Sequence, residues 1–443
     1  MRPGGAAAAP PGFDWRPAVA AVVALHRQGK LDQAEPLYRQ LLQLLPEHPD
    51  LLHFHAVLLH QRGRVEQALA QARRSIELRP KVAAWHNNLG NMLLDGRQIE
   101  PAVQAYQRCL ELDPDNAEVR SNLGNLLRQC GQLEQAEEML HAAVERAPAA
   151  AEPYASLALV YAAQGRMDAA IDAGTRALER TSGNPRTRRL LGLLYARRGR
   201  VDLALQVFRE WAADCPDDPQ ARHHLAAASG EAVPERAADD YLVDLFDRFA
   251  DSFDARLAHL EYRAPELCAQ LVQRRLGEPD GRRRVLDAGC GTGWCGPLLR
   301  PYAHELIGVD LSGGMLERAR ARGLYDRLER AELGAWLAGC TPRLDLIVSA
   351  DTLCYFGALD ALLVAARGAC RPGGWLVFTV EALADAAAGD WQLLPHGRYA
   401  HCRDALLRWL QAAGWQAIEL QPVVLRQEAG EPVQGWLASA RAA

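Results

Sequence analysis

The sequence predicts a two-part fold, an α-solenoid of stacked helical hairpins followed by a mostly parallel α/β sheet. Three observations carry that expectation. Alanine recurs every 34 residues, at Ala34, Ala68, Ala102, Ala136, Ala170 and Ala204. From Asp240 onward, short apolar runs alternate with helical stretches. One such run, Val285–Leu286, leads into Asp287-Ala288-Gly289-Cys290-Gly291-Thr292-Gly293, an acidic strand end followed by a glycine-rich turn.

Taken in order, residues 1–13 are rich in Pro, Gly and Ala and are expected to be disordered. They lack a sustained leucine-rich core and make a poor signal peptide. The apolar run Ala18–Leu25 is too short to span a bilayer. Residues 14–228 hold six repeats and a capping helix. Glycines at Gly29, Gly63, Gly96, Gly131, Gly165 and Gly199 permit the turn between two antiparallel helices. The alanines let those helices approach closely, and Pro46, Pro80, Pro114, Pro148 and Pro216 end the second helix of each pair. Large residues four positions after the alanine (Tyr38, Tyr106, Leu140, Phe208) fill the space between units. The period and residue types resemble the tetratricopeptide repeat. Gln220–Ala228 is expected to cover the last exposed face. Residues 229–239 are expected to be a linker.

Asn-Leu-Gly-Asn stands at Asn88–Asn91 and again at Asn122–Asn125. Asn88, Asn91, Asn122 and Asn125 either bond the backbone of an extended protein or peptide partner, as in O-GlcNAc-transferase-like repeats, or satisfy neighbouring helix ends. His53, His55, His60, His223 and His224 have no carboxylate or cysteine at a ligand spacing, so no metal site is expected.

Residues 240–443 form the α/β part. Runs at Val285–Leu286, Leu306–Val309, Leu344–Ser349 and Trp375–Val380 predict parallel strands covered on both faces. Trp415–Leu420 and Val433–Ala440 predict a terminal antiparallel hairpin joined by Gln427-Glu428-Ala429-Gly430-Glu431. The glycine turn lets a nucleotide-like ligand approach the backbone. Gly291, Gly293 and Gly296 also spell GxGxxG, with Asp310 downstream as a dinucleotide site expects. Asp287 is ill-suited to a pyrophosphate and suits a cationic cofactor.

With Ser312-Gly313-Gly314-Met315-Leu316 and the terminal hairpin, this pattern resembles class I S-adenosylmethionine-dependent methyltransferases, whose Rossmann-like sheet has seven strands. Phe246–Asp254 and Glu261-Tyr262-Arg263-Ala264-Pro265 resemble the lead-in of bacterial members that carry tetratricopeptide repeats. The resemblance implies S-adenosylmethionine as cofactor, held by Asp287, Gly289, Cys290, Gly291, Gly293, Asp310, Leu311, Met315, Glu332 and Leu333. Asp310 would accept the ribose hydroxyls, Met315 would lie on the adenine, and Glu332 would meet the adenine amino group. Tyr262 and Arg263 either touch the methionine carboxylate or belong to an amphipathic helix. Arg398 either faces the acceptor or caps a turn. Asp351, Tyr355 and His401 are the candidate bases.

Composition bounds the partners. A net charge of −5 with 24% charged residues lacks the basic footprint of a nucleic-acid binder. Cysteines without a CxxC pair fit reduced thiols and a cytoplasmic location. The expected function is a methyltransferase acting on a protein or peptide recruited by the repeats; the alternatives are one acting on a small molecule with the repeats as a docking scaffold, and a non-catalytic S-adenosylmethionine-binding module.

Overall fold

The computed structural model describes residues 14–181, 183–250, 253–258, 260–341, 343–383, 389–428 and 431–443. Residues 1–13, and Asp251, Ser252, Ala429 and Gly430 of the quoted motifs, lie outside them. The chain divides into two compact units, Met1–Ser182 and Gly183–Ala443. That division falls before the sixth repeat, whereas the sequence suggested a break at 229–239.

The first unit is a run of helical hairpins. They are α1 (Arg16–Arg27) with α2 (Leu31–Leu44), α3 (Pro49–Gln61) with α4 (Val65–Leu78), and α5 (Ala83–Asp95) with α6 (Ile99–Leu112). Next come α7 (Ala117–Gln129) with α8 (Leu133–Arg146), and α9 (Ala151–Ala163) with α10 (Met167–Arg180). Each periodic alanine is completely buried on the second helix of its pair. The residue before each of Pro46, Pro80, Pro114 and Pro148 has left the helical region, at φ from −131° to −142°. Proline crowds the preceding residue out of the helical region, so each helix stops there. In the third repeat the glycine comes one residue early, and Arg97 takes the left-handed φ of +58° in its place.

The second unit opens with the sixth hairpin, α11 (Pro185–Arg197) and α12 (Val201–Asp214), then α13 (Pro219–Ser229). Phe208 and Trp211 of α12 stack on His224 of α13, at ring distances of 5.4 and 6.2 Å. A side chain at Gly192 would fall inside the Phe208 ring. We therefore expect Gly192→Ala to destabilise this unit. Overpacking costs about 1–3 kcal/mol and exceeds the ~1 kcal/mol that alanine gains as a helix former. A higher thermal midpoint for Gly192→Ala would show that Phe208 moves aside freely.

Residues 229–239 are not a free tether. Ala237 N donates to Tyr355 O at 2.8 Å, and Gly357 N donates to Glu235 O at 2.7 Å. His223 Nε2 lies 2.9 Å from Gly397 O, and its ring stacks on Tyr241 at 3.8 Å. The last repeat is thus built into the α/β domain through a shared apolar cluster that includes Ala227, Tyr241, Leu393 and Tyr399.

That domain continues with α14 (Asp239–Phe249), α15 (Phe253–Ala258) and α16 (Ala264–Leu276). Its strands are β1 (Arg283–Ala288), β2 (Ala303–Asp310), β3 (Arg327–Arg330), β4 (Leu344–Ser349) and β5 (Cys370–Ala382). They are followed by β6 (Trp391–Leu393), β7 (Tyr399–His401), β8 (Trp415–Glu428) and β9 (Glu431–Ala442). Helices α17 (Gly296–Leu299), α18 (Gly313–Ala321), α19 (Leu333–Gly339), α20 (Asp360–Ala369) and α21 (Arg403–Ala412) connect them. β3, β2, β1, β4 and β5 are parallel neighbours in that order. β9 runs antiparallel to β5 and β8 pairs with β9, so the terminal hairpin extends the sheet as the pattern predicted. Two apolar clusters, one containing Leu286, Ile347 and Phe378 and the other Val285, Leu346 and Val377, cover opposite faces. The period-two alternation of these neighbours along each strand is the reason. The short pair β6–β7 was not foreseen; β7 joins the far end of the long β5 through Glu381 and Ala382. Among the described residues, no helix is long and apolar enough to cross a membrane.

Candidate functional site

The chain leaves β1 through three glycines with left-handed backbone, Gly289 (φ +76°), Gly291 (φ +53°) and Gly293 (φ +87°). Each serves a different purpose. A side chain at Gly289 would collide with Thr352, whose hydroxyl donates to Gly289 O at 3.1 Å. A Cβ at Gly293 would press on Tyr325 at 3.1 Å and Arg322 at 3.2 Å, so this glycine permits close helix packing. At Gly291 a Cβ would meet nothing within 4 Å. The bare backbone there borders a cavity of about 360 Å³, which Gly289, Cys290 and Gly291 help to line.

Asp310 ends β2 beside that turn. Its Oδ2 accepts Gly291 N at 2.9 Å and its Oδ1 accepts Ser312 N at 2.9 Å. The carboxylate therefore ties the glycine turn to the start of α18, and it also lines the cavity. Ser312 caps α18 by accepting Met315 N at 3.1 Å. Leu311, Met315 and Leu333 line the same cavity wall. Glu332 lines it too, but its carboxylate accepts Gly334 N at 3.0 Å and Ala335 N at 2.6 Å. It caps α19, a use the sequence reading did not include.

Asp287 needs correction. It does not line the cavity; it is 1% exposed and accepts the Tyr325 hydroxyl at 2.6 Å. Burial pushes its carboxyl up to about 7, opposed by that hydrogen bond. Asp287 still lies inside the buried end of β1, where the Tyr325 hydroxyl donates to its carboxylate, whereas the turn residues that line the cavity come after the strand has ended.

The lead-in segment closes over the turn by means that its sequence did not disclose. Asp247 on α14 accepts Gly314 N at 3.1 Å and the Ser312 hydroxyl. Asp254 on α15 accepts Thr292 Oγ1 at 2.5 Å, Trp294 Nε1 at 2.8 Å and Arg322 Nη2 at 2.5 Å. The two acids were legible only as members of a Phe-rich amphipathic stretch. Tyr262 lines the cavity, whereas Arg263 is exposed and outside it, its N–H donating to Leu425 O at 2.9 Å.

At the other end of the cavity lies a buried charge cluster. Arg426 Nη1 reaches both oxygens of Asp351, at 2.9 and 2.7 Å, and its Nε donates to Glu428 at 2.7 Å. Its Nη2 donates to Glu381. Arg398 donates to Glu381 at 2.5 Å and to Glu428 at 2.6 Å. Burial alone raises the Glu428 carboxyl, but the two guanidinium groups bring it down to about 2. Arg398 lines the cavity as one member of this network; it does not cap a surface turn. Glu381 and Arg426 were missed by sequence reading, because they meet only when β5 and β8 are set on either side of β9.

The three candidate bases fare differently. Asp351 lines the cavity at a left-handed φ of +57°, yet both its oxygens are engaged by Arg426. Tyr355 lines it as well, and burial raises its phenol well above the usual range, so the hydroxyl stays protonated. His401 is completely buried outside the cavity, its Nε2 2.9 Å from Phe356 O and 3.0 Å from Gly357 O. Burial lowers its imidazole to about 4, so it is a neutral strut at the end of β7.

In the first unit, Asn88 Nδ2 donates to His53 Nε2 at 3.1 Å and Asn91 accepts the Tyr106 hydroxyl at 2.6 Å. These two asparagines serve neighbouring helices. Asn122 and Asn125 are half-buried, with no hydrogen bond among the described residues. Also among those residues, no group of three or more His, Cys, Asp or Glu is arranged to hold a metal.

Comparison with known proteins finds both kinds of structure in the chain. Tetratricopeptide-repeat profiles match residues 25–90, 93–159 and 185–228. A methyltransferase-domain profile matches residues 259–420. The chain carries tetratricopeptide repeats in front of a class I methyltransferase domain. Methyltransferase-like protein 27 of Homo sapiens is 40% identical over 117 residues, 26% of this chain and 46% of the relative. Malonyl-acyl-carrier-protein O-methyltransferase of Erwinia pyrifoliae is 31% identical over 162 residues, 34% of this chain and 60% of the relative. The chain thus spans less than two thirds of the length of either. The solved structure of Pseudomonas aeruginosa pilF is 18% identical, with a TM-score of 0.42, over 47% of this chain and 96% of that one.

Proposed function

We propose that this chain is an S-adenosylmethionine-dependent methyltransferase whose acceptor enters the chamber beside the glycine turn. One observation carries the reading. A single cavity joins Gly291, Asp310 and Met315 to an apolar chamber between α14 and the Arg398–Arg426 cluster. A nucleoside fits the first end. The bare Gly291 backbone leaves room for it, and the Asp310 oxygens retain lone pairs for ribose hydroxyls. Met315 and Leu333 offer apolar contact to a purine. When bound, S-adenosylmethionine supplies an electrophilic methyl group on a sulfonium.

Transfer of that group is an in-line displacement, so the chain contributes chiefly alignment and exclusion of water. The lead-in helices, pinned by Asp247 and Asp254, wall the chamber from solvent. Arg398 and Arg426 hold its far side rigid. The cavity-lining residues begin at Arg189, so acceptor recognition is assigned to the second unit. The first five repeats are read as a surface for a protein or peptide partner, which is either the acceptor or a scaffold. The confinement of the chamber to Gly183–Ala443 favours the scaffold role.

Calorimetric titration of the full chain tests the cofactor. S-adenosylhomocysteine should bind, and NADH should not; the reverse result would sink the assignment. Label from S-adenosylmethionine incubated with cell extract should then enter the small-molecule fraction. Label confined to protein would instead establish a polypeptide acceptor.

A further inference from the structure

Most charged groups that line the cavity are neutralised by a partner on the protein. Asp310 and Glu332 accept backbone N–H groups. Arg236 pairs with Asp239 at 2.5 Å. Asp351 and Glu428 are held by Arg426 and Arg398. His396 Nδ1 accepts Arg398 N at 3.3 Å, and its Nε2 lies 3.4 Å from Glu381.

Arg189 is the exception. It stands on α11 of the last repeat and lines the cavity, with its guanidinium 6.0 Å from the Phe249 ring centre. Its Nε is buried without a hydrogen-bond partner, and among the described residues no carboxylate bonds it. The acids whose fields reach it are otherwise engaged. Asp244 accepts Gln220 Nε2 at 2.5 Å and pairs with Arg248 at 2.6 Å, while Asp218 caps α13. Arg189 is partly exposed where it lines the cavity beside an apolar wall (Leu242, Leu245, Phe246), so its guanidinium is open to a ligand there. Arginine stays charged at any physiological pH and presents a fork that suits carboxylate or phosphate.

We propose that Arg189 of the last repeat binds an anionic group, carboxylate or phosphate ester, on a methyl acceptor that carries an apolar stem. This rests on the methyltransferase reading above and deepens it to a substrate class. The stem lies on the phenyl and leucyl side chains of α14, and the anion on the guanidinium. The repeat array then contributes to catalysis directly, through one side chain of its final hairpin.

Full-length protein is titrated calorimetrically with hexanoate, hexyl phosphate and neutral hexanamide. At least one anion should bind ten or more times as tightly as the amide, and the tighter of the two identifies the headgroup. Arg189→Gln should erase that preference, with Arg189→Met as the neutral variant should the glutamine protein not fold. Arg189→Lys should keep part of it. Equal binding of the amide, absence of anion binding, or a preference that survives in both neutral variants overturns the proposal. S-adenosylhomocysteine is titrated separately into the same proteins, and its affinity should be the same in wild type and Arg189→Gln. Failure of wild type to bind it would refute the methyltransferase reading and leave the anion result standing.

Discussion

Replacing Arg426 by leucine lowers the stability of the second unit by about 3–5 kcal/mol, the cost of breaking a buried ion pair by removing one partner. The side chain of Arg426 is 3% exposed and holds Asp351, Glu381 and Glu428 together. Leucine leaves three carboxylates facing one another, with Arg398 as the remaining guanidinium in the cluster. Urea denaturation followed by tryptophan fluorescence reads the loss. Adding Asp351→Asn and Glu381→Gln to Arg426→Leu should recover much of it, because the unpaired charge goes with the carboxylates. A loss below about 1 kcal/mol would place the cluster in the range of solvated surface pairs, and its role as a rigid wall would fall.

Asp310→Ala should weaken S-adenosylhomocysteine binding by about 1.5–3 kcal/mol, the worth of hydrogen bonds to a charged group, or roughly 10- to 150-fold in Kd. The structure adds a second effect that the sequence did not suggest. Because the carboxylate also receives Gly291 N and Ser312 N, its removal frees two backbone donors and loosens the turn. Thermal stability should therefore fall as well, by about 1–2 kcal/mol. Asp310→Asn, which keeps acceptor oxygen at the same place, should retain more stability than affinity. Calorimetry and circular dichroism melts separate the two quantities. Unchanged affinity in Asp310→Ala would mean that this acid lies outside the nucleoside site.

The repeat array, the parallel sheet and the glycine turn beside Asp310 were legible in the sequence alone. All three are encoded locally. A helical hairpin repeats its small and large residues at a constant interval, a buried strand declares itself by an apolar run, and a turn that needs left-handed backbone demands glycine at fixed spacing. Gly289 and Gly291 follow β1, and Asp310 and Met315 stand at the end of the next strand and on the helix after it, so their proximity needs only the pairing of two consecutive strands. Tertiary structure alone decided the rest. Arg426 and Asp351 are 75 residues apart in the chain. Arg189 meets the chamber through a hairpin that sequence reading had assigned to a different domain. His401, polar and next to a helix start, reads as a base in the sequence, but on β7 it is completely buried with its Nε2 against two backbone carbonyls. Burial and partner identity depend on which distant segments pack together, and packing among β5, β8, β9 and α14 leaves no periodic trace in the sequence.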